Sequence, residues 1–369
     1  NLLEWFVKNG RHWIPWKLNS LGLPPTSGEY LNPYKIWIAE VMLQQTQLKV
    51  MLPYWLNWMK SFKNLGSLAE ADYQDILLHW QGLGYYRRAK WIKQTSQILI
   101  KKIDKFELDD PLVWPQGIDD WLALPGIGRS TAGSILSSSF DSQHAILDGN
   151  VKRIFSRLIA SKNTFSQDQK RFWNLANKLV LMKSPRNINQ ALMDLGATIC
   201  ITRKPKCDIC PLKNLCRSYI NFDLMNVPLH KNRKKQSSLK IGLGIIFNKE
   251  GKLLIAQRLE NTSMGGMWEF PGGKNEPGET IENTIEREIL EELGIKIVLG
   301  QMLLSFDHEY THKKLHFTVH ICQLKSGLAL PLASKELRWV DPEKLSDFPF
   351  PSANHRIISA LMEHLDLEK

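Results

Sequence analysis

Long apolar runs are missing from this 369-residue chain, and none approaches the roughly 18 residues a bilayer-spanning helix needs. Cysteine is scarce, at five residues, and four of them fall in one short stretch, which excludes the spread disulfide framework of a small secreted fold. The opening Asn1–Trp5 carries no secretory-signal pattern and no Met, so a short native beginning is expected ahead of it. No internal repeat or low-complexity tract is found. Negative charge is in deficit, with 37 Asp and Glu against 48 Lys and Arg, for a net charge of +11. That balance favours a polyanionic partner, although a membrane surface and a nucleic acid satisfy it equally. With 43% hydrophobic and 23% charged residues the chain is not a disordered one. Its length exceeds the usual span of one hydrophobic core, so two domains are expected.

The texture divides accordingly. Residues 1–217 read as mainly helical, with amphipathic stretches such as Tyr34–Ser61 and Asp72–Lys101 between Gly and Pro breaks. The basic run at 231–238 marks 218–238 as an exposed linker. From Leu239 onward the pattern becomes α+β. Strands at 241–247 and 253–256 flank a tight Asn248–Gly251 turn, a helix is expected at 280–293, and further strands at 300–307, 315–323 and 337–341. A mainly α N-terminal domain (1–217) is thus joined to an α+β C-terminal domain (239–369).

Leu124-Pro125-Gly126-Ile127-Gly128-Arg129-Ser130 ends one helix and opens another. Its two glycines permit positive φ and leave backbone N–H groups uncovered, which suits a phosphate at a helix N-terminus. Twenty residues beyond Gly128 comes Leu147-Asp148-Gly149-Asn150, where an Asp before Gly also suits a helix N-cap. Together these strings resemble the helix-hairpin-helix superfamily of DNA glycosylases, in which the hairpin grips backbone phosphate and a downstream Asp serves the active site. Members that form a Schiff base carry Lys directly after the hairpin sequence. Here that position is Ser130, which implies simple hydrolysis without strong strand cleavage.

Glu40 lies among Ile38, Ala39, Val41, Met42 and Leu43 in a helix-like stretch. If that face is buried, desolvation raises its carboxyl into the range of a general acid near neutrality. The string Glu40–Gln47, with Gln81–Ala89 and Leu147–Arg153, resembles the MutY family of adenine DNA glycosylases across nearly all of 1–217. The resemblance implies removal of adenine mispaired with 8-oxoguanine or guanine in double-stranded DNA. It implies Glu40 as proton donor to the extruded adenine, Asp148 as stabiliser of the oxocarbenium-like sugar, and Asn150 as a residue that holds the site. Gln45, Thr46 and Tyr85 match residues that wedge into the duplex, and Gly126, Gly128 and Ser130 match the phosphate-gripping hairpin. Extruding a base leaves a gap in the stack that such side chains fill.

Cys200-x6-Cys207-x2-Cys210-x5-Cys216 supplies four thiolates, a count that suits zinc and an iron–sulfur cluster alike. Zinc ribbons usually bring together two Cys-x-x-Cys knuckles, and only one is present. The spacing resembles the [4Fe–4S] loop of MutY and endonuclease III, which implies that cluster. Arg203, Lys204, Lys206, Lys213 and Arg217 are interleaved with the cysteines, so the loop is expected to touch DNA phosphates, in a structural and docking role. Cys322, alone in an apolar run, reads as a core residue.

In the second domain Gly273-x5-Glu279-x7-Arg287-Glu288-Ile289-x-Glu291-Glu292-x-Gly294-Ile295 satisfies every fixed position of the Nudix box. Helical spacing brings Glu288 near both Glu291 and Glu292, a set of carboxylates suited to Mg²⁺. Met264–Lys274 and Phe348–Asn354 resemble the MutT group of Nudix hydrolases, with Asn354 at the position that reads oxidised guanine. Phe306–His312 resembles the lesion-reading loop of MutY proteins, with Tyr310 and Thr311 where Phe and Ser are typical; Thr311 and His312 are its lesion-contacting candidates. MutY proteins carry such a domain to sense 8-oxoguanine, often with eroded carboxylates, whereas here they are intact. A second activity on 8-oxo-dGTP is therefore the alternative to a recognition role alone. The expected setting is a reducing cytoplasm beside the nucleoid, as a monomer and with no membrane partner. The loop at 17–32 is longer than MutY proteins usually have, and the sequence assigns it no role.

Overall fold

The computed structural model describes residues 1–103, 107–182, 184–228, 238–310 and 313–367. The chain divides into two compact units, Asn1–Glu70 with Trp91–Asn232, and Ala71–Lys90 with Arg233–Lys369. No described helix is long and apolar enough to cross a membrane.

The first unit is helical. It begins with α1 (Leu2–Asn9), α2 (Pro33–Leu43), α3 (Leu48–Ser61) and α4 (Leu65–Glu70). After α5 (Tyr73–Trp80) and α6 (Arg87–Leu99) it continues through α7 (Ile118–Leu122), α8 (Arg129–Phe140), α9 (Gly149–Leu158), α10 (Gln169–Met182), α11 (Pro185–Thr198) and α12 (Arg217–Ile220). The stretch 34–61 is two helices, because the chain turns at Gln44–Gln47, where Gln45 takes a positive φ of 59°. α2 starts where the Asn32 side chain accepts the Tyr34 N–H and Pro33 presets the first turn. It is apolar nearly all round, so its Ile36, Trp37, Ile38 and Ala39 are fully buried and it runs through the core. α2 packs against α8, and α9 against α11. A second apolar group, from Ala145 through Phe155, Phe172 and Leu192 to Ile199, fills the space behind α9.

In the second unit a mixed sheet runs in the order β3-β2-β1-β6-β5, from β1 (Ser238–Phe247), β2 (Leu253–Gln257), β3 (Trp268–Glu269), β5 (Lys296–Tyr310) and β6 (Lys313–Ser326); β4 (Gly272–Lys274) pairs with β1, and β7 (Glu336–Val340) with β2. β1 and β6 are parallel and the other pairs antiparallel. Side chains alternate along β1. Leu243, Ile245 and Phe247 join the layer under α14 (Ser352–Leu367), while Ile246 joins the layer under α13 (Ile281–Leu293) with Cys322, fully buried as expected of a core residue. The strands expected at 300–307 and 315–323 extend well beyond those limits, since their antiparallel pairing continues outward to Tyr310 and Lys313.

Two boundaries differ from the sequence reading. Ala71–Lys90 belongs to the unit of the sheet: Gln74 donates through Nε2 to the Gly266 carbonyl at 2.9 Å, and Trp268 donates to Gln74 Oε1 at 2.9 Å. The expected linker at 218–238 is partly packed structure. Ser218 and Val227 are buried, and the Val227 carbonyl accepts from Arg157 at 3.1 Å. Residues 229–237 of that linker lie outside the described residues.

Candidate active site, cysteine loop and acidic helix

Glu40, near the C-terminal end of α2, is half-buried, with an apolar helix around it. Desolvation lifts its carboxyl to about 7, reinforced by the nearby Asp148 charge and opposed by the Ser134 hydroxyl and by Lys17. Asp148, the second candidate carboxylate, is the N-cap of α9. Its Oδ1 accepts the Val151 N–H at 2.8 Å, starting α9, and its Oδ2 accepts from Asn150 Nδ2 at 3.1 Å. Burial raises its pKa too, but Val151, Arg153 and Asn150 all act to stabilise its charge. Two neighbouring carboxylates in unequal surroundings separate in proton affinity. Asp148 has the richer set of charge-stabilising donors and Glu40 the poorer, while burial raises both carboxyls.

Asn150 is fixed in turn. Its Oδ1 accepts from Arg153 at 2.9 Å, and the same guanidinium donates to the Gly196 carbonyl at 2.6 Å and the Cys200 carbonyl at 2.7 Å. Gly196 on α11 lies flat against Asn150, where a Cβ would come within 2.6 Å of the Asn150 Cβ.

The hairpin meets its expectation with one correction. Gly126 takes a positive φ of 74°, and a side chain there would strike the Trp91 ring. Gly128 does not use the left-handed region: its φ is −94°, and it serves as the N-cap of α8, exposed and uncrowded. Ser130 turns its hydroxyl inward to accept the Leu147 N–H at 3.0 Å. Its side chain therefore braces the segment leading to Asp148, while the first-turn backbone N–H groups remain for an anion. Gln44 links the end of α2 to the Gly126 carbonyl at 3.3 Å. Gln45 is exposed and Thr46 half-buried in the turn after α2. Tyr85 belongs to the other unit, half-buried with a positive φ of 50°.

Sequence reading missed a buried charge cluster in the same unit. Asp194 is fully buried, paired with Arg11 at 2.7 Å and with Lys17 Nζ at 3.1 Å. Lys17, the first residue of the unassigned 17–32 loop, ends a short 3-10 helix (Pro15–Lys17) and lends its charge toward Glu40. No spacing signals this, since Arg11 and Asp194 stand 183 residues apart in the chain.

Cys200, Cys207, Cys210 and Cys216 line one small cavity, partly open to solvent, with Arg157, Lys206 and Lys213. Four thiols lining one cavity are a donor set suited to a metal site, by count to zinc and to an iron–sulfur cluster alike. Desolvation and mutual repulsion push Cys210 up to about 11, and such a set of thiolates is stable only against bound cationic metal. Arg157 anchors the loop through the Ile201 and Thr202 carbonyls at 2.7 and 3.0 Å, and its Nη1 lies 3.4 Å from Cys200 Sγ.

On α13 the expected trio is rearranged. Glu291 is 61% exposed and pairs with Arg287 at 3.2 Å, while Glu288 is held inward by the same guanidinium at 3.1 Å. Glu292 is half-buried and raised to about 7 by desolvation and by the charges of Glu269 and Glu288. The inward carboxylates are thus Glu288, Glu292 and Glu269, the last from β3 and absent from the sequence reading. Arg287 also clamps Glu279 at 2.9 Å, which holds the loop before α13. Asn354 is buried at the start of α14, its N–H donating to the Pro351 carbonyl at 2.9 Å. Ser352 lies 3.2 Å from His308 Nε2, which brings the start of α14 against the end of β5. Thr311 and His312 lie outside the described residues.

A family model described as the HhH-GPD superfamily of base excision DNA repair proteins matches residues 38–180, and a NUDIX domain model matches residues 242–360. The chain is 36% identical over 325 residues to an adenine DNA glycosylase of Buchnera aphidicola from Acyrthosiphon pisum, covering 88% of this chain and 85% of that protein. It is 32% identical to the adenine DNA glycosylase of Buchnera aphidicola from Schizaphis graminum, covering 97% and 96% respectively. The mouse adenine DNA glycosylase is 27% identical, covering 99% of this chain and 78% of its own length.

Proposed function

The chain belongs to the adenine DNA glycosylase family, and from that premise we propose that it excises adenine lying opposite 8-oxoguanine or guanine in duplex DNA, by acid-assisted hydrolysis of the N-glycosidic bond. The observation that carries this reading is the pair of unequal carboxylates, Glu40 raised to about 7 and Asp148 held by three charge-stabilising neighbours. With adenine extruded, Glu40 donates its proton to a ring nitrogen, and the bonding pair of the glycosidic bond departs with the base. Asp148, oriented by Val151 N–H and Asn150, faces the positive charge that develops on the sugar. Water adds at C1′ and gives up a proton. The Ser130 hydroxyl, engaged by Leu147, offers no amine for a Schiff base, so an abasic site with an intact strand is the product.

The first-turn amides of α8 at Gly128–Ser130 would hold a phosphate, and Gln45 and Thr46 of the same unit would enter the space the base leaves. Cys200, Cys207, Cys210 and Cys216 would hold a [4Fe–4S] cluster. Bound there it would supply structural cross-linking rather than an electron for hydrolysis, rigidifying the loop that carries Lys206 and Lys213, cations suited to DNA phosphates. The C-terminal domain would read 8-oxoguanine through Asn354 and the segment containing Thr311 and His312. The test is a panel of duplexes with A opposite 8-oxoguanine, A opposite G, T opposite G, and an oxidised pyrimidine, scored for released base and for alkali-dependent breakage. Base release without alkali-independent nicking, confined to the two adenine mispairs, is expected; release of thymine would reject the substrate assignment.

One observation favours a second reading, that the Nudix site also hydrolyses 8-oxo-dGTP or a related nucleoside diphosphate derivative. The charges of Glu269 and Glu288 add to desolvation in raising the Glu292 carboxyl, a repulsion that a divalent cation would relieve. Incubation with Mg²⁺ and 8-oxo-dGTP is expected to yield the monophosphate. No product above that of a Glu292→Gln control would leave the recognition role alone.

A further inference from the structure

α8 carries two serines one helical turn apart, one bonded to the segment that precedes Asp148 and the other beside Glu40. Ser130 accepts the Leu147 N–H and so braces the segment that ends in Asp148. Ser134 follows at i+4, and the two share a helix face. It is only 2% exposed, and its Oγ has no hydrogen-bond partner within 3.5 Å among the described residues. A buried helical serine ordinarily satisfies its hydroxyl on a backbone carbonyl one turn back, and leaving it unmet is costly. Here the hydroxyl instead faces Glu40, on the helix that packs against α8. The other charged groups facing Glu40 are Asp148, at the N-cap of α9, and Lys17, which is itself tied to Asp194.

We propose that Ser134 is a positioning residue for adenine release: its O–H orients the Glu40 carboxyl and closes onto the oxygen left bare when the proton goes to the base. The proposal rests on Glu40 being the general acid. As Glu40 loses its proton, an N–H bond forms on adenine and the carboxylate accepts the Ser134 hydroxyl. The proton released when water adds at C1′ restores the acid. A hydroxyl without another partner is suited to this, because no competing bond has to break.

The test is single-turnover adenine release from an A·8-oxoguanine duplex between pH 5 and 9, by wild type, Ser134→Ala, Ser139→Ala and Glu40→Gln. Ser139 is the matched control, buried on the same helix with an equally unmet hydroxyl. Only the protonated acid is active, so the rate falls as pH rises through the Glu40 pKa. Removing a donor to the carboxylate raises that pKa, so Ser134→Ala should move the alkaline limb up by about one pH unit and lower the plateau about tenfold, in line with a hydrogen bond to a charged group. Ser139→Ala should change neither. If the alanine variant folds poorly by thermal melting, Ser134→Cys, with a weaker donor of similar size, should shift the limb in the same direction. An inactive Glu40→Gln with an unmoved limb and plateau in the Ser134 variants would overturn this proposal alone. An active Glu40→Gln would overturn it together with the acid assignment.

Discussion

Glu40 and Asp148 carry the same functional group and behave differently because their donors differ. Asp148 takes two hydrogen bonds and the Arg153 charge, whereas Glu40 has only a nearby serine hydroxyl not yet bonded to it and a lysine already committed to Asp194. Glu40→Gln keeps the shape and removes the acid, so adenine release should fall by about 10²–10⁴-fold with DNA binding retained, measured by single-turnover kinetics and a binding titration. The same change should stabilise the fold. A glutamate raised from 4.5 to about 7 binds a proton in the native state that the unfolded chain has released, so stability is lost as pH rises through that window. Glu40→Gln should therefore raise Tm more at pH 8 than at pH 4. An equal shift at both would show that Glu40 is not desolvated. Sequence reading reached this residue through the resemblance of the Glu40–Gln47 string to the MutY family, since a glutamate on an amphipathic helix by itself more often faces water. It missed Lys17, Asp194 and Ser134, because no periodicity marks a lysine in a loop or a serine in a helix as facing a site.

The element that unites the first unit is α9. Its N-cap is Asp148, its first turn presents Asn150, and its Arg153 and Arg157 grip carbonyls at Gly196 and at residues 200–202. The cysteine loop and the site carboxylate are thus joined through one helix. Cys207→Ser should abolish cluster absorbance and steepen the loss of DNA affinity with added salt less than in wild type, because cations on the loop no longer contact phosphate in a fixed place. Unchanged affinity and salt slope in a cluster-free protein would remove the docking role. Gly196→Ala tests the same junction from α11. The added methyl falls 2.6 Å from Asn150 Cβ, so α9 or Asn150 must move, and the rate of adenine release should drop by an order of magnitude or more with the cluster spectrum intact. The glycine spacing at 126 and 128 was legible as a hairpin, but only the backbone showed that Gly126 alone needs a positive φ and that Gly128 acts as a cap.

Across the whole chain, a net charge of +11 on a two-unit protein makes association with DNA strongly dependent on salt. The apparent Kd for a duplex without a lesion should weaken by at least tenfold between about 50 and 200 mM salt, the range over which a handful of released counterions has that effect. A flat response would mean that the basic residues do not face the duplex. The division into units was visible as a change from helical to strand periodicity near Leu239. The exception, Ala71–Lys90, was not visible, because its attachment depends on Gln74 meeting Trp268 and Gly266, nearly 200 positions away. A similar long-range meeting brings Glu269 to the acidic helix in place of Glu291.

By itself the sequence determined the helical and α+β architecture, the Gly-rich turn and the four clustered thiols, since each depends on local spacing, while Glu40 and Asp148 were singled out by resemblance to a family. The tertiary structure alone decided how far the two carboxyls are desolvated, which buried charges surround them, and which glutamates face inward. Proton affinity is set by desolvation and by neighbours from distant parts of the chain, and those distances exist only once the helices have packed.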